Sequence, residues 1–115
     1  SPTARIAFQA GFVRDLAHSP PEALAILSVE GDSMLPTLAH GDQILIDTQD
    51  QSAARDGIYV LRVDDALLVK RLSLNPATRR LTIHSDNDAY PSWPDCDPGA
   101  IHIIGRVVWV GRKLS

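Results

Sequence analysis

The apolar positions of this chain follow two periods, and the change from one to the other marks its first boundary. Phe8, Phe12 and Leu16 recur four residues apart with Val13 beside them, the stripe of a short amphipathic helix. Ser19-Pro20-Pro21 ends that pattern, because proline removes a backbone donor and fixes φ. Beyond it the apolar residues come in short runs bounded by turn formers, the signature of strands. The runs 24–29, 43–47, 57–63, 66–72, 80–84 and 101–110 each predict one strand. Asp64-Asp65 predicts a tight hairpin, Asn75-Pro76 another turn, and Gly105 a bulge or bend in the last strand. His40-Gly41-Asp42 reads as a turn, 48–56 as a polar loop, and 34–38 as one helical turn with Pro36 in it. Segment 85–100 holds three of the eight prolines and reads as a long loop serving as a lid or support. The expected architecture is mostly β, a compact antiparallel fold with a short N-terminal helix. Residues 1–23 are expected to be a helical linker segment and 24–115 the folded domain.

Composition narrows the classes. With 115 residues, 44% of them hydrophobic and 22% charged, the chain makes one globular domain. A net charge of −3 argues against nucleic acid as its direct ligand, since phosphate binding needs a basic surface. No apolar run approaches the ~20 residues of a membrane span, and no signal peptide is apparent. A single cysteine, Cys96, cannot form an internal disulfide and fits a reducing cytosol. The chain starts at Ser1-Pro2 without an initiator methionine and reads as part of something longer.

Two positions stand out chemically. Ser33 lies in the turn Gly31-Asp32-Ser33-Met34-Leu35-Pro36, and Lys70 lies 37 positions later (70 − 33) inside Leu67-Leu68-Val69-Lys70-Arg71-Leu72. A lysine pressed into an apolar surface loses hydration of its charged form, so its neutral amine becomes available as a base. A neutral amine beside a serine hydroxyl is a recurrent way to activate a nucleophile. Each residue also has a plainer reading. Lys70 and Arg71 could end an edge strand with their charges in water, and Ser33 could cap the short helical turn. By strand alternation Leu68, Lys70 and Leu72 share one face, with Leu67, Val69 and Arg71 on the other. The turn would also offer the free N–H groups of Ser33 and Met34 to an oxyanion.

The string Gly31-Asp32-Ser33-Met34-Leu35-Pro36-Thr37-Leu38, then Gly41-Asp42 and Val69-Lys70-Arg71-Leu72, closely resembles the self-cleaving repressor family of LexA, UmuD and the phage repressors. Ser85-Asp86-Asn87 with Tyr90-Pro91, and Gly105-Arg106-Val107-Val108-Trp109, are similar to later landmarks of that family. The resemblance implies a β fold shared with bacterial signal peptidases, and a Ser-Lys dyad. Ser33 would be the nucleophile and Lys70 the general base, with no cofactor and no metal. It implies cleavage of the protein's own hinge, which separates a DNA-binding domain outside this chain from the domain that dimerises it. It implies a homodimer through C-terminal strands and, as trigger, the recombinase filament of the SOS response. The alternative, from a different class, is a non-cleaving regulatory module of a repressor controlled by an antirepressor or ligand. A signal peptidase is disfavoured, because no membrane segment brings this chain to exported substrates.

Two departures from the family pattern bear on activity. Many relatives carry a threonine two residues before the lysine, where this chain has Leu68; Ser85 is the candidate substitute, with a turn role as its alternative. The family's scissile bond is typically Ala-Gly or Cys-Gly, and Ala10-Gly11 is such a pair, only 23 residues before Ser33 (33 − 10) and within the helical stripe. The alternatives to this bond are one outside the chain, or no cleaved bond at all. His18, His40, His84 and His102 show no metal spacing with Cys96 or each other. Asp86, Asp88, Asp95 and Asp97 cluster in one segment but fit no calcium-loop template. Trp109 is read as an interface residue in preference to core.

Overall fold

A computed structural model describes residues 19–114. The helix expected over Phe8, Phe12 and Leu16 lies outside the described residues, as does the Ala10-Gly11 pair. Seven strands follow in chain order: β1 (Leu24–Ser28), β2 (Gln43–Asp47), β3 (Gly57–Val63), β4 (Ala66–Leu74), β5 (Leu81–His84), β6 (Trp93–Cys96) and β7 (His102–Gly111). They form one sheet in the order β1-β2-β7-β3-β4-β5-β6. Every neighbouring pair is antiparallel. The expected mostly β, antiparallel domain is what the chain forms.

The sheet buries both faces, and β3 at its centre shows why. Tyr59 and Leu61 belong to a core with Leu72, Leu81, Ile83 and Ile103. Val60, one residue out of phase, belongs to a second core with Val29, Met34, Leu38, Ile44 and Ile46. A strand buried on both faces reads as a continuous apolar run instead of an alternation, as 58–61 does. Each fully buried aliphatic side chain contributes about 1.5–3 kcal/mol relative to exposure.

Two turns decide the placement of the chemistry. Asp64, at a positive φ of 54°, closes the β3–β4 hairpin, which sets Tyr59 opposite Lys70. The turn after β4 is closed by Asn75 N–H donating to the Arg80 carbonyl and sets Leu74 opposite Leu81 and Arg71 opposite His84. Gly105 lies where the β3–β7 register shifts; a Cβ there would meet the Asp47 carbonyl oxygen at 2.5 Å and Ile46 Cγ2 at 2.7 Å. Only glycine allows β2 and β7 to approach so closely.

Two expectations are corrected. Segment 34–38 forms turns and not a helix: Leu38 N–H reaches the Met34 carbonyl, a single bond of the helical kind that no neighbouring residue repeats. Segment 85–100 is not all loop, because it contains the edge strand β6 and a 3-10 turn, Pro98–Ala100. Pro94 concealed that strand; proline is compatible with an edge, where no ladder donor is needed.

Candidate functional site

Ser33 sits in the turn between β1 and β2. The base of that loop is closed by Val29 N–H to the Asp42 carbonyl and Gly41 N–H to the Val29 carbonyl, both with glycines at positive φ nearby, Gly31 at 80° and Gly41 at 92°. Met34 and Leu38 anchor it in the second core at 2% exposure each. Between these anchors Ser33 is held half-exposed at the surface. Among the described residues, no hydrogen bond engages the N–H groups of Ser33 and Met34.

Lys70 comes from β4. It is 7% exposed although its neighbours along the strand are partly open to solvent. Burial pushes its amine below the ordinary 10.5. Its Nζ donates to Ser85 Oγ at 2.7 Å, and Ser85 is itself 1% exposed. The rings of Tyr90 and Trp93 lie over the amine, each centroid 5.8 Å from Nζ, and shield it from water. The edge-strand reading of Lys70, with its head in solvent, does not hold.

Ser33, Met34 and Lys70 line a single cleft of about 380 Å³, walled by Val29, Leu68 and Val69 among others. Among the described residues, no hydrogen bond joins Ser33 to Lys70; the amine is engaged by Ser85 instead. Leu68 lines this cleft and also an adjoining apolar cavity beside Trp93. The acceptor for the lysine thus comes from the end of β5 rather than from its own strand.

Segment 85–90 binds the two halves of the cleft together. Asn87 N–H donates to the Ser33 carbonyl at 3.0 Å and Asn87 Nδ2 to the Asp32 carbonyl at 3.0 Å. Tyr90 Oη donates to the Asp32 carboxylate. Asp86 accepts from Arg71 Nε at 2.7 Å and from its terminal nitrogen at 2.8 Å, and from Thr37 Oγ1 at 2.5 Å. The Arg71 guanidinium holds the Asp86 carboxyl below its ordinary value, with the Thr37 bond acting in the same direction. These contacts were absent from the sequence reading, although Ser85, Asp86, Asn87 and Tyr90 were among its landmarks. Of the four acidic residues in 85–100, two are in ion pairs, Asp86 with Arg71 and Asp95 with Arg80, and Asp97 accepts from Gly99 N–H. Among the described residues no three His, Cys, Asp or Glu side chains converge as a metal site.

Residues 2–108 match the Peptidase S24-like family model. The chain belongs to the Peptidase S24-like family. Over 91 residues it is 35% identical to the 26 kDa repressor protein of Escherichia phage HK022, covering 77% of this chain and 38% of that protein. Over 93 residues it is 32% identical to an uncharacterized HTH-type transcriptional regulator of Haemophilus influenzae, covering 78% of this chain and 38% of that protein. The matched region thus spans well under half the length of these S24-like relatives. Among the described residues, no helix is long and apolar enough to cross a membrane.

Proposed function

We propose that this S24-like domain is the autoproteolytic and dimerisation part of a LexA-like or phage-type transcriptional repressor. The observation that carries the reading is the buried Lys70 amine, held by Ser85, in the cleft that Ser33 also lines. In the reaction, Ser33 Oγ attacks the scissile carbonyl carbon while Lys70 Nζ takes the hydroxyl proton. The Ser33 and Met34 N–H groups receive the oxyanion. As the C–N bond breaks, Lys70 returns the proton to the leaving amine. Water then attacks the acyl-serine with the same amine as base. Ser85 keeps one face of Nζ occupied so that the other is directed into the cleft.

Strand pairing favours an extended substrate. β5 pairs with β4 only over Arg71–Leu74, so toward the β3–β4 hairpin the outer edge of β4, 66–70, is unpaired among the described residues. A peptide laid along that edge would present its carbonyl beside Lys70 by strand addition. The substrate is the repressor's own hinge, at Ala10-Gly11 or at a bond outside this chain. The full-length protein works in the cytoplasm and binds DNA through a separate domain, in keeping with the HTH-type relative; a recombinase filament or an antirepressor triggers it. β7 is hydrogen-bonded on both sides, to β2 and β3, so a homodimer through it would use side chains such as Val110 and not backbone addition.

The test is incubation of the full-length protein from neutral to alkaline pH. Self-cleavage is expected to accelerate as Lys70 loses its proton and to level off once it is neutral. Ser33→Ala and Lys70→Ala should each abolish it; cleavage that survives either substitution would falsify the dyad. The rival, a non-cleaving dimerisation module, is favoured by Leu68 at the threonine position. Intact protein throughout the alkaline series, with a concentration-dependent dimer, would establish the rival.

A further inference from the structure

The two halves of the dyad come from parts of the chain that share no backbone hydrogen bond among the described residues. β4, carrying Lys70, pairs with β3 and β5; the turn over 31–38, carrying Ser33, bonds within its own loop and to Asn87. Met34 and Val69 pack in the same apolar core, but such packing is non-directional and leaves the turn able to slide along the strand. A directional link is needed to bring a hydroxyl and an amine into proton-transfer geometry.

Asp86 has that form. Its carboxylate is held in a two-pronged bond by Arg71, the residue next to Lys70 on β4, and by Thr37, four residues after Ser33 in the turn. Charge-assisted bidentate bonds are the most geometrically exacting of side-chain contacts. The carboxylate side chain itself is 10% exposed. Ser85 on one side reaches Lys70, and Asn87 on the other reaches Asp32 and Ser33. Of the three consecutive residues, Asp86 alone bonds both halves. The Arg71–Asp86 pair also leaves no net charge beside the amine.

We propose that Asp86 is a positioning residue, which sets the approach of the Ser33 hydroxyl to the Lys70 amine by tying β4 to the nucleophile turn through Arg71 and Thr37. This rests on the Ser-Lys reading above. A role confined to bracing β4 against β5 would need the Arg71 bond but not the Thr37 bond, so Thr37 separates the two. Thr37 is exposed, and Thr37→Val removes its bond to Asp86 without altering charge or side-chain shape.

The experiment measures covalent labelling of Ser33 in the full-length protein by an alkyl fluorophosphonate. Oγ displaces fluoride from phosphorus and its proton passes to Lys70, so labelling reports the dyad without requiring the scissile bond. At a pH where the wild-type rate is level, Thr37→Val is expected to label about tenfold more slowly, with an unchanged melting temperature, and Thr37→Ser to restore the rate. Asp86→Asn should be at least as slow, and adding Thr37→Val to it should slow it no further, as coupled partners behave. Wild-type rates in Thr37→Val, or slowing that Thr37→Ser does not reverse, would overturn the positioning role while leaving the dyad intact. Labelling that persists in Ser33→Ala, or a wild-type protein that takes no label, overturns the dyad itself and the positioning role with it.

Discussion

Lys70 Nζ donates to Ser85 Oγ across 2.7 Å, and both side chains are nearly sealed from solvent. Lys70 lies in the middle of β4 and Ser85 is the first residue after β5, next to His84, which the β4–β5 register sets opposite Arg71. The hairpin turn at Asn75–Arg80 therefore delivers the hydroxyl that holds the amine. It makes the chemistry of the cleft depend on a pairing that lies outside the dyad.

Ser85→Ala is expected to slow self-cleavage by at least tenfold while Ser33 and Lys70 remain in place. The amine would lose its fixed orientation, and the cost to stability from an unpartnered buried donor is about 1–3 kcal/mol. Cleavage rates at the alkaline plateau, set beside urea denaturation of the same variant, measure the two effects separately. An unaltered cleavage rate would show that Ser85 has only a turn role.

Lys70 should make folding stability depend on pH in the alkaline range. Its pKa in the fold is below 10.5, so the folded state binds this proton less tightly than the unfolded state does. Below the folded pKa both states carry the charge and the burial penalty is complete. As pH rises from that value to 10.5 the penalty fades, and above it none remains. Lys70→Met keeps an unbranched side chain without the charge, so the stability gap between variant and wild type should narrow with rising pH across this window. Urea midpoints collected through the window check the slope.

Gly105→Ala is expected to destabilise the fold by about 1–3 kcal/mol or more, the range for forced overpacking. The added Cβ would lie 2.5 Å from the backbone oxygen of Asp47, an atom with no freedom to rotate away. Equilibrium unfolding gives the value, and a variant as stable as wild type would contradict the close approach of β2 and β7.

Asp42 ties Arg112, just past β7, to the loop that carries Ser33. It is 2% exposed, accepts from Arg112 at 2.8 and 2.7 Å, and also accepts from Ala39 N–H at 2.9 Å. The Arg112 bond, opposed in part by burial, holds its carboxyl below the ordinary 3.8. A carboxyl depressed in this way contributes stability above 3.8 that is lost as pH falls through the folded value. Arg112→Ala should therefore lower the melting temperature at neutral pH, and the difference should vanish in acid. A difference that persists unchanged in acid would assign Arg112 a role other than this pair.

Much of the fold was legible because its strands are bounded by strong turn formers. β2 and β3 begin and end where the apolar runs do, and Asp64-Asp65 closes the hairpin it predicts. β4 runs two residues farther, and β7 is displaced by one, since pairing and not composition sets a strand's end. β6 was hidden because Trp93-Pro94-Asp95-Cys96 lacks alternation and holds Pro94 and Asp95, both rare in strands; it exists because Leu81 and Ile83 on β5 pair with Cys96 and Trp93. The serine and lysine were legible as chemistry, but the ion pair of Arg71 with Asp86 was not, because nothing local joins residues on opposite sides of a turn.

Local sequence, then, determined where most of the strands and turns fall and which side chains share a face of β4. Alternation assigns a side chain to a face but says nothing of the depth of solvent above it. Only the tertiary structure decided that Lys70 is buried, because Tyr90 and Trp93, which shield its amine, and Ser85, which accepts its proton bond, arrive from beyond the next hairpin. Desolvation is a property of everything packed around a group. It is set when distant segments meet.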